Sequence, residues 1–158
     1  MLGTYAVGKT SLVRRFVESV YDEKYHTTIG VKVDKKVVSV GDKEVSLLLW
    51  DLEGTEDALE LRQSYLRGAA GYLLVADGTR PETLSKAMDL QTRAKAEVGN
   101  VPFFLLINKS DLTVEWKIHG EQLEPLNKQR WTIVFTSAKT GFAVEGAFMK
   151  LAQMMIGE

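Results

Sequence analysis

Gly3-Thr4-Tyr5-Ala6-Val7-Gly8-Lys9-Thr10 stands behind Met1 and Leu2 and runs straight into a stretch with apolar Leu12, Val13, Phe16, Val17 and Val20 at helical spacing. The octapeptide fits GxxxxGK(S/T), the P-loop pattern. Its glycines allow backbone conformations that turn successive N–H groups inward, and the positive end of the following helix adds to them, so together they suit a polyphosphate. On this pattern Gly3, Ala6, Val7, Gly8 and Ser11 contact the ligand, Lys9 meets its β- and γ-phosphates, and the Thr10 hydroxyl meets Mg²⁺. A chance match in a chain of this length is on the order of one in a few hundred.

Working outward, Val31–Val40 and Val45–Trp50 are β-branched or apolar runs joined around Gly41-Asp42-Lys43, which predicts a hairpin. Gly71–Ala76 and Val101–Ile107 lack alternation, as strands buried on both faces do, and Trp131–Phe135 is a third run of this kind. Helical periodicity falls on 58–66, 82–98, 119–129 and 144–156. Strands alternating with helices predict an α/β fold: a mostly parallel, doubly wound sheet with one antiparallel hairpin and helices on both faces. In such sheets ligands bind beyond the carboxyl ends of the strands, where all the motifs of this chain fall.

The 158 residues suit one domain spanning 1–158. With 20 basic against 21 acidic side chains the formal charge is −1, so no whole-chain field draws in nucleic acid or an anionic membrane. Absence of cysteine excludes disulfides, thiolate metal sites, a cysteine nucleophile and a lipid anchor on cysteine within this chain. Apolar runs stay far below the roughly 18 residues that span a bilayer, and no signal-peptide pattern opens the chain, so a cytoplasmic monomer is expected.

Two further motifs select chemistry. Asn108-Lys109-Ser110-Asp111 fits NKxD after a buried run. The Asp111 carboxylate can accept two N–H bonds from the Watson–Crick edge of guanine, where adenine presents an acceptor in place of one donor. Asn108 is expected to tie this loop to the P-loop, and the Lys109 stem to cover the base. Asp51-Leu52-Glu53-Gly54 fits DxxG, a pattern that chance alone produces in about half of such chains. Its place between an apolar run and a predicted helix lets Asp51 order Mg²⁺ through water and the Gly54 N–H meet a γ-phosphate.

Taken in order, GTYAVGKT, YHTTIGV, WDLEG, NKSD and TSAKTG resemble the five nucleotide motifs of the Ras superfamily of small GTPases, and Thr28-Ile29-Gly30-Val31 with Tyr65-Leu66-Arg67-Gly68-Ala69 is similar to Rab members. The resemblance covers essentially the whole chain. It implies a six-stranded Ras-type sheet, GTP or GDP as ligand, and Thr28 binding Mg²⁺ in a first switch segment. It also implies Tyr21 edge-on to the guanine and Ser137, Ala138 and Lys139 lining the base, with the Ala138 N–H on the guanine carbonyl. Lys9, Thr28, Gly54 and Thr55 form the expected catalytic set, and residues 22–34 and 53–66 the surface for effector and regulatory proteins.

Departures from the family pattern qualify the activity. Thr55 stands where the family usually carries the glutamine that orients the attacking water, so slow hydrolysis is expected. Tyr5 occupies a position usually small, where its ring could crowd out an arginine supplied by a partner, and Glu53 adds charge beside the second switch. Only Met1 and Leu2 precede Gly3, where the fold puts a central strand; that strand is expected to be truncated here, with its remainder upstream. A GTP/GDP switch is therefore the leading reading. A module keeping guanine nucleotide without turning it over, or a Roc-like domain of a larger protein, stays open beside it.

Overall fold

Alternation along the buried strands decides which helices cover which face. The computed structural model describes residues 1–24, 28–52 and 63–157, with the elements α1 (Lys9–Glu18), β1 (Val31–Val40), β2 (Lys43–Leu52), a 3₁₀ turn (Gln63–Tyr65), β3 (Tyr72–Asp77), α2 (Glu82–Val98), β4 (Phe103–Asn108), α3 (Gly120–Lys128), β5 (Ile133–Phe135) and α4 (Val144–Met155). Strands β3, β4 and β5 form a parallel sheet in that order. Leu73 and Val75 of β3 face Leu12 and Phe16 of α1 and Phe148 and Leu151 of α4, while Leu74 and Ala76 face Leu84, Leu90 and Ala94 of α2 and Leu126 of α3. Successive side chains of a strand point to opposite faces, so a run apolar throughout needs helices on both.

The hairpin β1–β2 is antiparallel, turning at Gly41-Asp42 with Val40 opposite Lys43. Strand β1 and helix α2 have the bounds that their patterns predict, and the other elements, apart from the helix expected over 58–66, shift by one or two residues at an end. Three expectations are corrected. The described residues hold five strands in two sheets, not six in one; the first strand, expected to be truncated, is a single parallel bridge from Leu2 to Leu74, too short to count as a strand. Strand β5 is not buried on both faces, since it lies at the sheet edge with Phe135 41% exposed. Of the helix expected over 58–66, residues 58–62 lie outside the described residues, and Gln63–Tyr65 is a single 3₁₀ turn.

Met1 and Leu2 join the two sheets. The Leu2 N–H donates to Leu73 O and the Val75 N–H to Leu2 O, both at 2.8 Å, while the Met1 amine donates to Trp50 O at 2.8 Å. Beside them an apolar cavity of about 460 Å³, lined by Leu47, Leu49, Leu73, Phe148 and Met155 among others, separates β2 from β3. Among the described residues no helix is long and apolar enough to cross a membrane.

The α1–α4 contact centres on Phe16 and Phe148, whose rings stack at 4.3 Å and 6° with both side chains buried. Phe148→Ala is expected to cost about 3–5 kcal/mol of stability, read by chemical denaturation.

Candidate functional site

The P-loop lies between the end of the Leu2 bridge and α1, and neighbouring atoms dictate both of its glycines. A Cβ on Gly3 would stand 2.7 Å from Val75 O, and one on Gly8, whose φ is +101°, 2.3 Å from the Asn108 amide nitrogen. Only glycine lets the loop approach β3 and Asn108 this closely. Ala6 also takes a positive φ of 60°, as does Lys109 at 67°, conformations that persist only where surroundings impose them.

Lys9 is 6% exposed, and its ammonium donates to Gly3 O at 2.9 Å and Thr4 O at 3.0 Å. Burial pushes its pKa down to about 8; the Asp51 charge opposes this and Arg80 adds to it. An anion in the adjoining space would restore the charged form. That space is a cavity of about 230 Å³ lined by Tyr5, Ala6, Gly8, Lys9, Thr10, Ser11, Tyr21, Asp22, Glu23, Lys24, Thr28, Leu52 and Lys109.

Three oxygen-bearing side chains meet at one side of the cavity. Thr10 Oγ1 lies 2.6 Å from Thr28 Oγ1 and donates to Asp51 Oδ2 at 2.5 Å, with Thr28 Oγ1 at 3.4 Å from the same oxygen. Asp51 is 1% exposed, and its Oδ1 has no hydrogen-bond partner. Two hydroxyls and a buried carboxylate with an unpartnered oxygen are hard donors of the kind Mg²⁺ takes, so these residues fit that ion. Clusters of three or more His, Cys, Asp or Glu are absent among the described residues.

Asn108, 2% exposed, donates through Nδ2 to Val7 O at 3.0 Å, and its Oδ1 accepts from Ala138 N–H at 3.2 Å and Thr136 Oγ1 at 3.3 Å. The expected tie to the P-loop is present in the geometry. Lys109 donates to Ala6 O at 3.0 Å. Ser137 Oγ donates to Asp111 Oδ1 at 2.7 Å and accepts from Thr140 N–H, turning the carboxylate into place. Asp111, Ser137, Ala138 and Lys139 do not line the cavity of the P-loop. Lys139 pairs with Glu23 at 3.4 Å, bringing this loop to the segment after Tyr21, which is 38% exposed. Gly54 and Thr55, expected in the catalytic set, and Glu53 lie outside the described residues.

Sequence reading missed the pair that backs the site. Asp77, 1% exposed at the end of β3, accepts from Lys109 Nζ at 2.7 Å and Arg80 Nε at 3.1 Å. It also missed Arg15, whose guanidinium donates to Ala138 O at 2.8 Å and Lys139 O at 2.5 Å and so fixes the loop after β5 to α1. An aspartate ending an all-apolar run was the available signal for the first; the second left none beyond a charge on a helix face.

The Ras family model matches residues 1–157. Ras-related protein Rab-4B of Homo sapiens and of Rattus norvegicus is 34% identical over 160 residues, covering 100% of this chain and 75% of each relative. Ras-related protein Rab-4A of Rattus norvegicus is 33% identical, covering 100% of this chain and 73% of its own.

The lowered pKa of Lys9 has a signed consequence. Between about pH 8 and 10.5 the unfolded chain keeps a proton on this side chain that the folded chain has lost. The unfolded state then binds more protons, so the stability of the ligand-free chain rises with pH across that window. Denaturation series at several pH values should show this slope in the native chain and a flatter one in Lys9→Met.

Proposed function

The chain belongs to the Ras family, and on that premise we propose that this GTP-binding protein is a molecular switch whose two conformations are set by GTP and GDP and whose intrinsic hydrolysis is slow. The observation that carries the proposal is the meeting of Thr10 and Thr28 at 2.6 Å over Asp51. It brings the segment preceding β1 to the floor of the phosphate site, so a ligand there acts on residues far from its base.

In this reading the P-loop N–H groups and Lys9 bind the phosphate chain. Asp111, oriented by Ser137, accepts the guanine N–H groups, and Tyr21 and Lys109 cover the base. The Ala138 N–H would share itself between Asn108 and the guanine carbonyl. Thr10 and Thr28 would hold Mg²⁺, with Asp51 acting through water, and the ion supplies positive charge to the phosphate oxygens when bound. The third phosphate adds contacts for Thr28 and for the Gly54 N–H; its loss removes them and frees both segments. Effectors and regulators would then read residues 22–34 and 53–66, of which 25–27 and 53–62 lie outside the described residues. The whole of 1–158 serves as one G domain.

Thr55 shapes the chemistry. A threonine hydroxyl is too short to orient water as a glutamine amide does from the same backbone position, so single-turnover GTP hydrolysis is expected at or below the ~10⁻³ s⁻¹ order of Ras without its activator. Thr55→Gln should raise it, and a much faster native rate would remove this part of the proposal.

The switch itself is tested by limited trypsin digestion of the chain with Mg²⁺ and either GDP or a non-hydrolysable GTP analogue. Cleavage at Lys24, Lys32 and Arg62 should be several-fold slower with the analogue. Equal patterns would favour a constitutive nucleotide-binding module instead.

A further inference from the structure

Each carbonyl from Gly3 to Val7 is held by a side chain. Lys9 takes Gly3 O and Thr4 O at 2.9 and 3.0 Å, Arg80 Nη2 takes Tyr5 O at 2.7 Å, Lys109 Nζ takes Ala6 O at 3.0 Å, and Asn108 Nδ2 takes Val7 O at 3.0 Å. In a planar trans peptide the C=O of one residue and the N–H of the next point in opposite directions. Fixing these carbonyls therefore fixes where the N–H groups of Thr4 through Gly8 point. Lys9, Asn108 and Lys109 belong to the nucleotide motifs; Arg80 belongs to none of them.

Arg80 comes from the loop that leaves β3, Asp77-Gly78-Thr79-Arg80-Pro81. Its Nε donates to Asp77 Oδ2 at 3.1 Å while its Nη2 reaches Tyr5 O, 75 residues away in sequence. The same Asp77 oxygen accepts Lys109 Nζ at 2.7 Å, and Asp77 Oδ1 accepts the Thr79 N–H at 2.9 Å and hydroxyl at 2.7 Å. One buried carboxylate thus collects two cations, and each cation reaches past it to one of two adjacent P-loop carbonyls. Burial alone would raise the Asp77 pKa; the bonds from Lys109 and Thr79 outweigh it and hold the carboxyl below its ordinary value, so the anchor stays ionised. A guanidinium suits the task because its planar fork presents Nε and Nη2 in fixed relation, whereas an ammonium is a single point of charge.

We propose that Arg80 is a positioning residue for the phosphate chain: anchored on Asp77, it clamps the Tyr5 carbonyl and thereby presets the Ala6 N–H for the ligand. The proposal rests on the reading of the cavity as a guanine-nucleotide site. It assigns the Asp77–Arg80 pair a role in how tightly the second and third phosphates are held. Asp111 is oriented by Ser137 and not by this pair, and Asp77 keeps its bond to Lys109 when Arg80 is replaced, so the effect falls on the phosphates more than on the base.

The test compares the native chain with Arg80→Met and Arg80→Lys, in competition titrations with GDP and with GMP in Mg²⁺ buffer. Arg80→Met keeps the stem and leaves Asp77 its Lys109 and Thr79 partners, and GMP binding reports directly that each variant is folded. GDP affinity of Arg80→Met should fall about tenfold, the equivalent of freeing roughly one backbone residue, with GMP affinity unchanged within about twofold. Arg80→Lys should recover only part of the loss. An unchanged GDP:GMP affinity ratio in Arg80→Met, whether both affinities hold or both fall together, overturns the proposal. A native chain that binds GMP and GDP equally also overturns it, while one that binds neither overturns the nucleotide reading beneath it.

Discussion

The amide of Asn108 is the point on which the site depends. Lying 2% exposed at the end of β4, it donates to Val7 O in the P-loop and accepts from Ala138 N–H and Thr136 Oγ1 in the loop after β5. Three loops from distant parts of the chain are thereby held in one register. Its bonds are made where no water competes, and a buried amide left without them would be costly. The same closeness forces glycine at position 8, where a Cβ would fall 2.3 Å from the amide nitrogen.

Around this tie the site divides into halves of different chemistry. On the phosphate side, a buried lysine and a row of fixed backbone N–H groups await negative charge, and two hydroxyls with one carboxylate suit a hard cation. On the side proposed for the base, Ser137 donates to Asp111 and Arg15 fixes the loop after β5 to α1. Lys109 connects the two: its ammonium holds Ala6 O in the P-loop and pairs with Asp77, and it stands two residues before Asp111. Membership of the Ras family implies a guanine nucleotide as the common ligand class, and the side-chain geometry is consistent with each half holding its part.

Much of this was legible in the sequence because the signals were local. The apolar period of β1 is bounded by Gly30 and Gly41, and α2 lies between Pro81 and Gly99, so both elements were readable to the residue. Glycine and lysine spacing gave the P-loop, and NKSD announced its own carboxylate. Other features were set by partners far away. The short β5 has the apolar composition of a central strand, yet its place at the sheet edge follows from the order of the strands and not from its own residues. Asp77-Gly78-Thr79-Arg80 is an ordinary turn by composition; its grip on Tyr5 exists only once β3 and the P-loop are side by side.

The most direct measurement of the central claim is the identity of the nucleotide that co-purifies with the chain. Denaturing the protein and separating what it releases should yield GDP or GTP at close to one per chain, retained in Mg²⁺ and shed in a chelator. An adenine nucleotide in that place, or a folded chain that neither carries nor takes up guanine nucleotide, would contradict the account.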